Sequence, residues 1–303
     1  MPELPEVEIT TKGLREAVVG LVIKDVWTDL ASSHIFQREA VGNPKYFRIF
    51  KKEITGRKII SVERRAKNIL INLNSGKTIL VHLKMTGHLL FGKYKFAKNR
   101  WTPDYIDLTH PFHDPYNRFV HVVFTFSNGE HLAFSDARKF GKITLLDTKI
   151  AYDSKHLNNI GPEPLDKQFT ITNFKLRISK KPNGKVKTVL MDQGIIAGIG
   201  NIYSDEILWK ASVHPELKVS ELIDEEIKLI FQAIKEILKK GIDFGGDSMS
   251  DYRNIHGLPG KFQLHHEAYR RTGEKCRKKG CKGIIKRKIV NGRSAHFCSA
   301  HQR

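Results

Sequence analysis

Two groups of residues in this 303-residue sequence have types and spacing that could do chemistry. The first lies at the start, where Pro2 follows Met1. Removal of the methionine would leave a secondary amine at the chain end. An α-amino group has a pKa near ~7.7–8, so a useful fraction is neutral and nucleophilic at pH 7. Attack by such an amine on a sugar C1′ gives an iminium, whose charge acidifies the C2′ proton and promotes loss of the 3′ phosphate. Glu3 and Glu6 are close enough in sequence to serve as acid, base or positioning group. Taken alone the pattern is weak, because acidic residues also favour a first helical turn.

The second group closes the chain. All three cysteines lie in the last 28 residues, as Cys276-x4-Cys281-x16-Cys298-x2-His301. An odd number of cysteines argues against a disulfide framework. Three thiolates and one imidazole instead make a closed tetrahedral zinc site, with no position left for water. One structural Zn2+ per chain would supply folding energy that a module of about 30 residues cannot draw from its own core. His296 is a rival fourth ligand, but its spacing from Cys298 is too short for an ordinary knuckle, so His301 is preferred. Lys286, Arg287, Lys288 and Arg293 lie between the ligand pairs, where a stiffened hairpin could present them to a phosphate backbone. The plain alternative is a set of buried thiols with a tail histidine.

The elements that must position these groups are partly legible. A helix is expected over residues 7–18. Ile69–Leu73 and Thr78–Leu83 flank the turn signal Asn74-Ser75-Gly76, and Val120–Phe126 and His131–Phe134 flank Ser127-Asn128-Gly129. Residues 93–117, with Pro103, Pro111 and Pro115, read as a long loop. Beyond residue 150 the pattern turns helical: Ile223, Ile227, Ile230, Ile234 and Leu238 form a stripe that Ser220 could cap and Gly241 could close. Gly245-Gly246 to Gly260 reads as a flexible loop. The expected fold class is α+β: an N-terminal β-sandwich with flanking helices over 1–150, a helical domain over 151–271 and a cysteine-rich hairpin over 272–303.

Lysine and arginine total 52 against 32 acidic residues, a net charge of +20. That excess suits a polyanionic partner, although a charged solubility shell would give the same count. No apolar run reaches the ~18 residues of a membrane span, and the acidic start is no signal peptide. The expected location is intracellular, in the cytoplasm or nucleoid.

Several stretches together resemble the formamidopyrimidine-DNA glycosylases. They are Met1-Pro2-Glu3-Leu4-Pro5-Glu6-Val7-Glu8, Arg64-Arg65-Ala66-Lys67, His82-Leu83-Lys84-Met85-Thr86-Gly87 and Asp136-Ala137-Arg138-Lys139-Phe140-Gly141. Leu190-Met191-Asp192-Gln193 leads into Ala197-Gly198-Ile199-Gly200-Asn201-Ile202-Tyr203, and Gly292-Arg293 with Phe297-Cys298 match the family's finger. The resemblance spans nearly the whole chain. It implies a sandwich, a helix–two-turn–helix domain and a zinc-finger hairpin, acting as a monomer on damaged double-stranded DNA.

The resemblance further implies excision of oxidised purines and cleavage of the backbone by β,δ-elimination. Pro2 would be the Schiff-base nucleophile, Glu3 the acid at the sugar ring oxygen, Lys67 the proton donor and phosphate contact for β-elimination, and Arg293 the phosphate grip for δ-elimination. Met85, Arg138 and Phe140 resemble a wedge that fills the gap left by an extruded nucleotide; core packing is the plain alternative for Met85 and Phe140. Glu6, His82, Asn201 and Tyr269 match further DNA-contact positions. The sequence departs from the pattern in the x4 spacing, in His301 as last ligand, in the length of 93–117, and in Phe119 where the family often has a DNA-contacting histidine.

Other readings are an endonuclease VIII-type enzyme for oxidised pyrimidines, a lesion-binding protein without catalysis, and a metal-dependent nuclease. Leu4 and the full wedge set oppose the first, and Pro2, Glu3 and Lys67 together oppose the second. The third lacks a carboxylate and histidine cluster for an open metal site.

Overall fold

The computed structural model describes residues 1–31 and 38–303. They divide into two compact units, one of Met1–Asn158 with Gly245–Lys261 and the other of Asn159–Phe244 with Phe262–Arg303.

The first unit opens on α1 (Leu4–Val18), three residues earlier than the apolar spacing predicts. The reason is local. Glu6 reaches back to accept the Glu3 N–H at 2.7 Å, satisfying a donor that a helix start leaves orphaned. Pro5 is tolerated in the first turn, where no N–H is needed. Strand β1 (Ile23–Thr28) and helix α2 (Pro44–Ile54) follow. Next come β2 (Ile59–Arg65), β3 (Asn68–Leu73), β4 (Lys77–His82) and β5 (His88–Gly92).

Residues 93–117 are not the expected loop. They form the hairpin of β6 (Tyr94–Ala97) and β7 (Arg100–Pro103), then two 3-10 turns, Pro111–His113 and Pro115–Arg118. The hairpin turn uses Lys98 and Asn99 at φ 51° and 59°, a left-handed pair with no glycine to announce it. Then come β8 (Val120–Phe126), β9 (His131–Ser135) and β10 (Lys142–Asp147).

The long strands make two antiparallel four-stranded sheets, ordered β1-β8-β9-β5 and β10-β4-β3-β2. Their inner faces share one core, in which Ile71, Val81 and Ile143 of one sheet join Leu89, Val122 and Phe134 of the other, with Val7 and Leu14 of α1. Alternate residues face the other way. Leu90, Val123 and Ala133 pack against Tyr94 and Phe112, so the 93–117 insertion adds a layer on the outer side of one sheet.

The second unit contains α3 (Ile171–Ile178), α4 (Val186–Leu190), α5 (Asn201–Ala211) and α6 (Asp224–Asp243). It ends in the hairpin β11 (Ile285–Val290) and β12 (Arg293–Cys298). Two expectations about α6 fail. Ser220 lies outside it in a 3-10 turn, and the cap is Glu226, whose carboxylate accepts the Ile223 N–H at 3.0 Å. Ile223, 64% exposed, therefore leaves the apolar stripe. Gly241 does not close the helix either. A Cβ there would come within 2.5 Å of the Tyr203 ring, so the glycine is a packing residue. The closing glycine is Gly245, at φ 76°.

Candidate active site and metal centre

In the first unit, strand register brings the singled-out residues to one end of the sandwich. Ala66 (φ 53°) and Lys67 make the two-residue turn between β2 and β3, next to the Arg65–Asn68 pair. Asn68 pairs with His82 on β4, and His82 pairs with Lys142 on β10, so this row carries the sheet's edge to the loops at 83–87 and 136–141.

Helix α1 reaches the same end. Arg15 donates to Val62 O at 3.1 Å and Arg64 to Glu8 at 2.5 Å, so the helix runs antiparallel to β2. Stepping back from Glu8 to Glu3 covers roughly 7.5 Å of helix, and forward from Arg64 to Lys67 roughly 10 Å of strand. Pro2 and Glu3 thereby lie toward the Lys67 turn. Pro2 and Glu3 are buried, Glu3 at 1% exposure, whereas Met1 is 42% exposed. Glu6 is not presented at the surface. One carboxylate oxygen holds the Glu3 N–H and the other the Asp247 N–H, each at 2.7 Å.

Lys67 is 6% exposed, and its charge acts on His82. Burial first, then Lys84 and Lys67, hold the His82 pKa down to about 3, so the ring is neutral near pH 7. Its Nδ1 accepts the Lys84 N–H at 3.0 Å, which leaves the ring proton on Nε2 as a donor.

The wedge residues stand in solvent. Met85 is 37% exposed and Phe140 53%, with the Arg138 guanidinium 4.7 Å from the Phe140 ring centre. Core packing is thus excluded for both. Buried Asp136, which the sequence analysis did not single out, joins the two loops. Its Oδ1 accepts the Thr86 hydroxyl and the Arg138 N–H (3.3 Å), and its Oδ2 the Gly141 N–H at 2.7 Å. Phe134 fills the space beneath; a Cβ on Gly141 would approach it to 2.2 Å and one on Gly87 to 2.8 Å. The Asp-x-Arg spacing is an Asx-turn signal that could have pointed to Asp136.

In the second unit, Asn201 opens α5 after Gly198 (φ 85°), and its Nδ2 lies 3.4 Å from Ser294 Oγ on β12. Tyr269 is placed by Glu206, a buried carboxylate that accepts the N–H groups of Glu267, Ala268 and Tyr269 at 2.8–3.0 Å. Burial raises the Glu206 pKa against these three bonds. No sequence signal marks Glu206, because its partners lie 61–63 residues later.

Arg293 is exposed beside the turn Asn291-Gly292, both left-handed at φ 46° and 76°. A buried polar chain fixes the hairpin behind it. Lys187 Nζ meets Asp205 Oδ1 at 2.5 Å, and Asp205 Oδ2 takes both the N–H and Nδ1 of His296 at 2.9 Å. His296 is therefore committed away from the thiols.

Cys276, Cys281, Cys298 and His301 gather with their ligand atoms within 4.8 Å of one another. Cys281 and Cys298 Sγ are 3.5 Å apart, too far for a disulfide and close to the roughly 3.8 Å edge of a tetrahedron with ~2.3 Å zinc–sulfur bonds. His301 turns Nδ1 to two sulfurs at 3.5 and 3.6 Å, while Nε2 donates to Trp209 O at 3.2 Å. That bond leaves Nδ1 as the lone-pair ligand. The N–H groups of Lys278, Gly283 and Ala300 point at the three sulfurs at 3.3–3.5 Å, a setting for thiolates. The group can coordinate a metal ion despite its altered spacing.

Comparison with known proteins agrees with this arrangement. The formamidopyrimidine-DNA glycosylase N-terminal domain matches residues 1–143, and the H2TH domain of the same glycosylases matches residues 160–253. The formamidopyrimidine-DNA glycosylase of Herpetosiphon aurantiacus is 38% identical, with all of both chains covered. That of Bacillus subtilis is 37% identical over 100% of this chain and 99% of its own. Among solved structures, Lactococcus lactis Fpg in complex with abasic-site DNA superposes with a TM-score of 0.82 at 32% identity, covering 99% of each chain. MutM in complex with DNA containing carbocyclic 8-oxo-G gives 0.79 at 32% identity, over 98% of each. From the sequence motifs, the two domain matches and the end-to-end likeness, the chain belongs to the formamidopyrimidine-DNA glycosylase family.

Proposed function

We propose that this protein excises oxidised purines, 8-oxoguanine and formamidopyrimidines, from duplex DNA and then cleaves the backbone at the emptied site. The observation that carries the reading is the convergence on one end of the sandwich: the start of α1 with Pro2 and Glu3, the Lys67 turn, His82 and the exposed wedge. With Met1 removed, the Pro2 amine attacks C1′ and the base leaves. Glu3, buried at the helix start, protonates the ring oxygen. The resulting iminium labilises the C2′ proton, and Lys67 serves the proton transfers of β-elimination. Glu6 acts on this centre through the Glu3 backbone it holds.

Met85, Arg138 and Phe140 offset the cost of unstacking, since their side chains are already in solvent. His82, Asn201 and Tyr269 contact the DNA backbone, and Arg293 grips the phosphate expelled in δ-elimination. Zinc is the metal that the three thiolates and His301 suit, one per chain, where it would cross-link the finger. We read catalysis in 1–150, phosphate binding in 151–271 and the finger in 272–303. Among the described residues no helix is long and apolar enough to cross a membrane, and a DNA substrate places the protein in the cytoplasm or nucleoid, working as a monomer.

Borohydride trapping on a duplex with 8-oxoguanine opposite cytosine tests this reading. A covalent adduct is expected from wild type and none from Pro2→Gly. Equal trapping by the two would remove the amine mechanism, and stronger action on thymine glycol would move the protein to the pyrimidine branch.

A further inference from the structure

Segment 245–261 and the 93–117 insertion are distant in sequence, yet buried polar contacts join them inside the first unit. Arg253, 6% exposed, lays Nε 2.9 Å and Nη2 3.3 Å from the Asp114 carboxylate. Its Nη1 donates to Ser250 O and Tyr252 O at 3.0 and 2.8 Å, and its guanidinium lies 4.5 Å from the Tyr116 ring centre. Asn117, fully buried, donates to Pro111 O at 2.8 Å and to Gly257 O at 3.2 Å. Its Oδ1 accepts from His88 Nε2 at 2.9 Å, and His88 begins β5 just past the wedge turn. Gly257 (φ 78°) permits the approach: a Cβ there would meet Phe112 at 2.8 Å and Asn117 Nδ2 at 2.9 Å. Phe91 N–H adds a bond to Ile255 O at 2.8 Å.

The segment's other end meets the chemistry. The Asp247 N–H binds the same Glu6 carboxylate that holds Glu3. Ser248 Oγ donates to Tyr252 O and accepts from Gly260 N–H, both at 2.8 Å, closing a short tip on which Met249 is 37% exposed. The expected flexible loop is thus a braced one, with its tip one side chain from Glu3.

We propose that Asp114 and Asn117 are positioning residues that hold segment 245–261 preformed, with the tip at 247–251 presented to the extruded purine. The insertion then governs how well a damaged base is held and leaves cleavage of an emptied site alone. A preformed loop spares the ordering cost of closing over a ligand, and small displacements of a positioned group are expensive in rate. This inference rests on the glycosylase reading above.

The test measures single-turnover excision on the 8-oxoguanine duplex and strand cleavage on the same duplex with a preformed abasic site. For Asp114→Asn, excision is expected to fall about tenfold or more while abasic cleavage stays within about twofold, and Asp114→Glu should recover most of the loss. Parallel loss of both activities, or loss of neither, overturns the proposal. A wild-type protein inert on both substrates overturns the glycosylase reading, and the inference with it.

Discussion

Two antiparallel hairpins of this protein each hold a cation at a two-residue turn, Lys67 within the turn between β2 and β3 and Arg293 just past the turn, at the start of β12. They are stiffened by opposite means. The first is built into a sandwich: every residue of β3 is buried, and its apolar side chains join a core shared by two sheets and α1. The second is less buried: Lys286–Ile289 of β11 are exposed, and beside Val290, Ala295 and Phe297 its buried apolar residues include the small cluster of Cys276, Ile285 and Cys298. Four side chains able to hold a metal ion and the Lys187–Asp205–His296 chain add to that smaller core. On the proposed roles, the cation assigned to chemistry sits on a frame fixed by burial, and the one assigned to phosphate on a frame that a metal would help to fix.

The contrast breaks most sharply on metal removal. A strong chelator should unfold β11 and β12 and abolish tight DNA binding, because structural zinc supplies on the order of 10 kcal/mol to small fingers. Amide hydrogen exchange should then accelerate in 285–298 and stay slow in 59–73. Equal acceleration in both would show that the hairpins are not independently held.

Next in size is Asp205→Asn, which strands a buried Lys187 charge and should cost about 3–5 kcal/mol in the second unit. The check is a denaturant midpoint reported from Trp209. Acid should also weaken the first unit. Burial lowers the His88 pKa from 6.5 to about 4, so its contribution is complete above pH 6.5 and is lost as pH falls toward 4. The loss is about 3 kcal/mol, and His88→Gln should flatten the dependence in a pH series of thermal melts. The smallest effect is expected from Arg293→Ala. Removing one phosphate contact should lower the salt slope of DNA binding by about 1.

The two hairpins also show what a sequence discloses. Asn74-Ser75-Gly76 and Ser127-Asn128-Gly129 announce their turns because a glycine is needed at positive φ, as Gly76 (74°) and Gly129 (84°) confirm. Ala66 in one turn and Lys98 and Asn99 in another take left-handed backbone without one, so neither turn is visible locally. The candidate chemistry at Pro2, Lys67 and the wedge is legible through the joint pattern of motifs, whereas the groups that position it are not. Asp136 reaches the Thr86 hydroxyl 50 residues back, Glu206 acts on N–H groups 61–63 residues later, and Asn117 on a carbonyl 140 residues away. The α6 cap is misread for a related reason: Ser220 and Glu226 both offer oxygen to a helix start, and only tertiary placement selects between them.

Gly241 carries a consequence for anyone redesigning the protein for heat tolerance. Replacing a glycine inside a helix by alanine ordinarily gains up to about 1 kcal/mol, which makes Gly241, within the 20-residue helix α6, an inviting first target. Here the added methyl would collide with Tyr203, which stacks on Phe262 with ring centres 5.0 Å apart. The safer substitutions are at turn glycines with open space around them and only their backbone angle to respect, such as Gly56 and Gly273. There asparagine, the residue that best tolerates left-handed backbone, is the replacement to try.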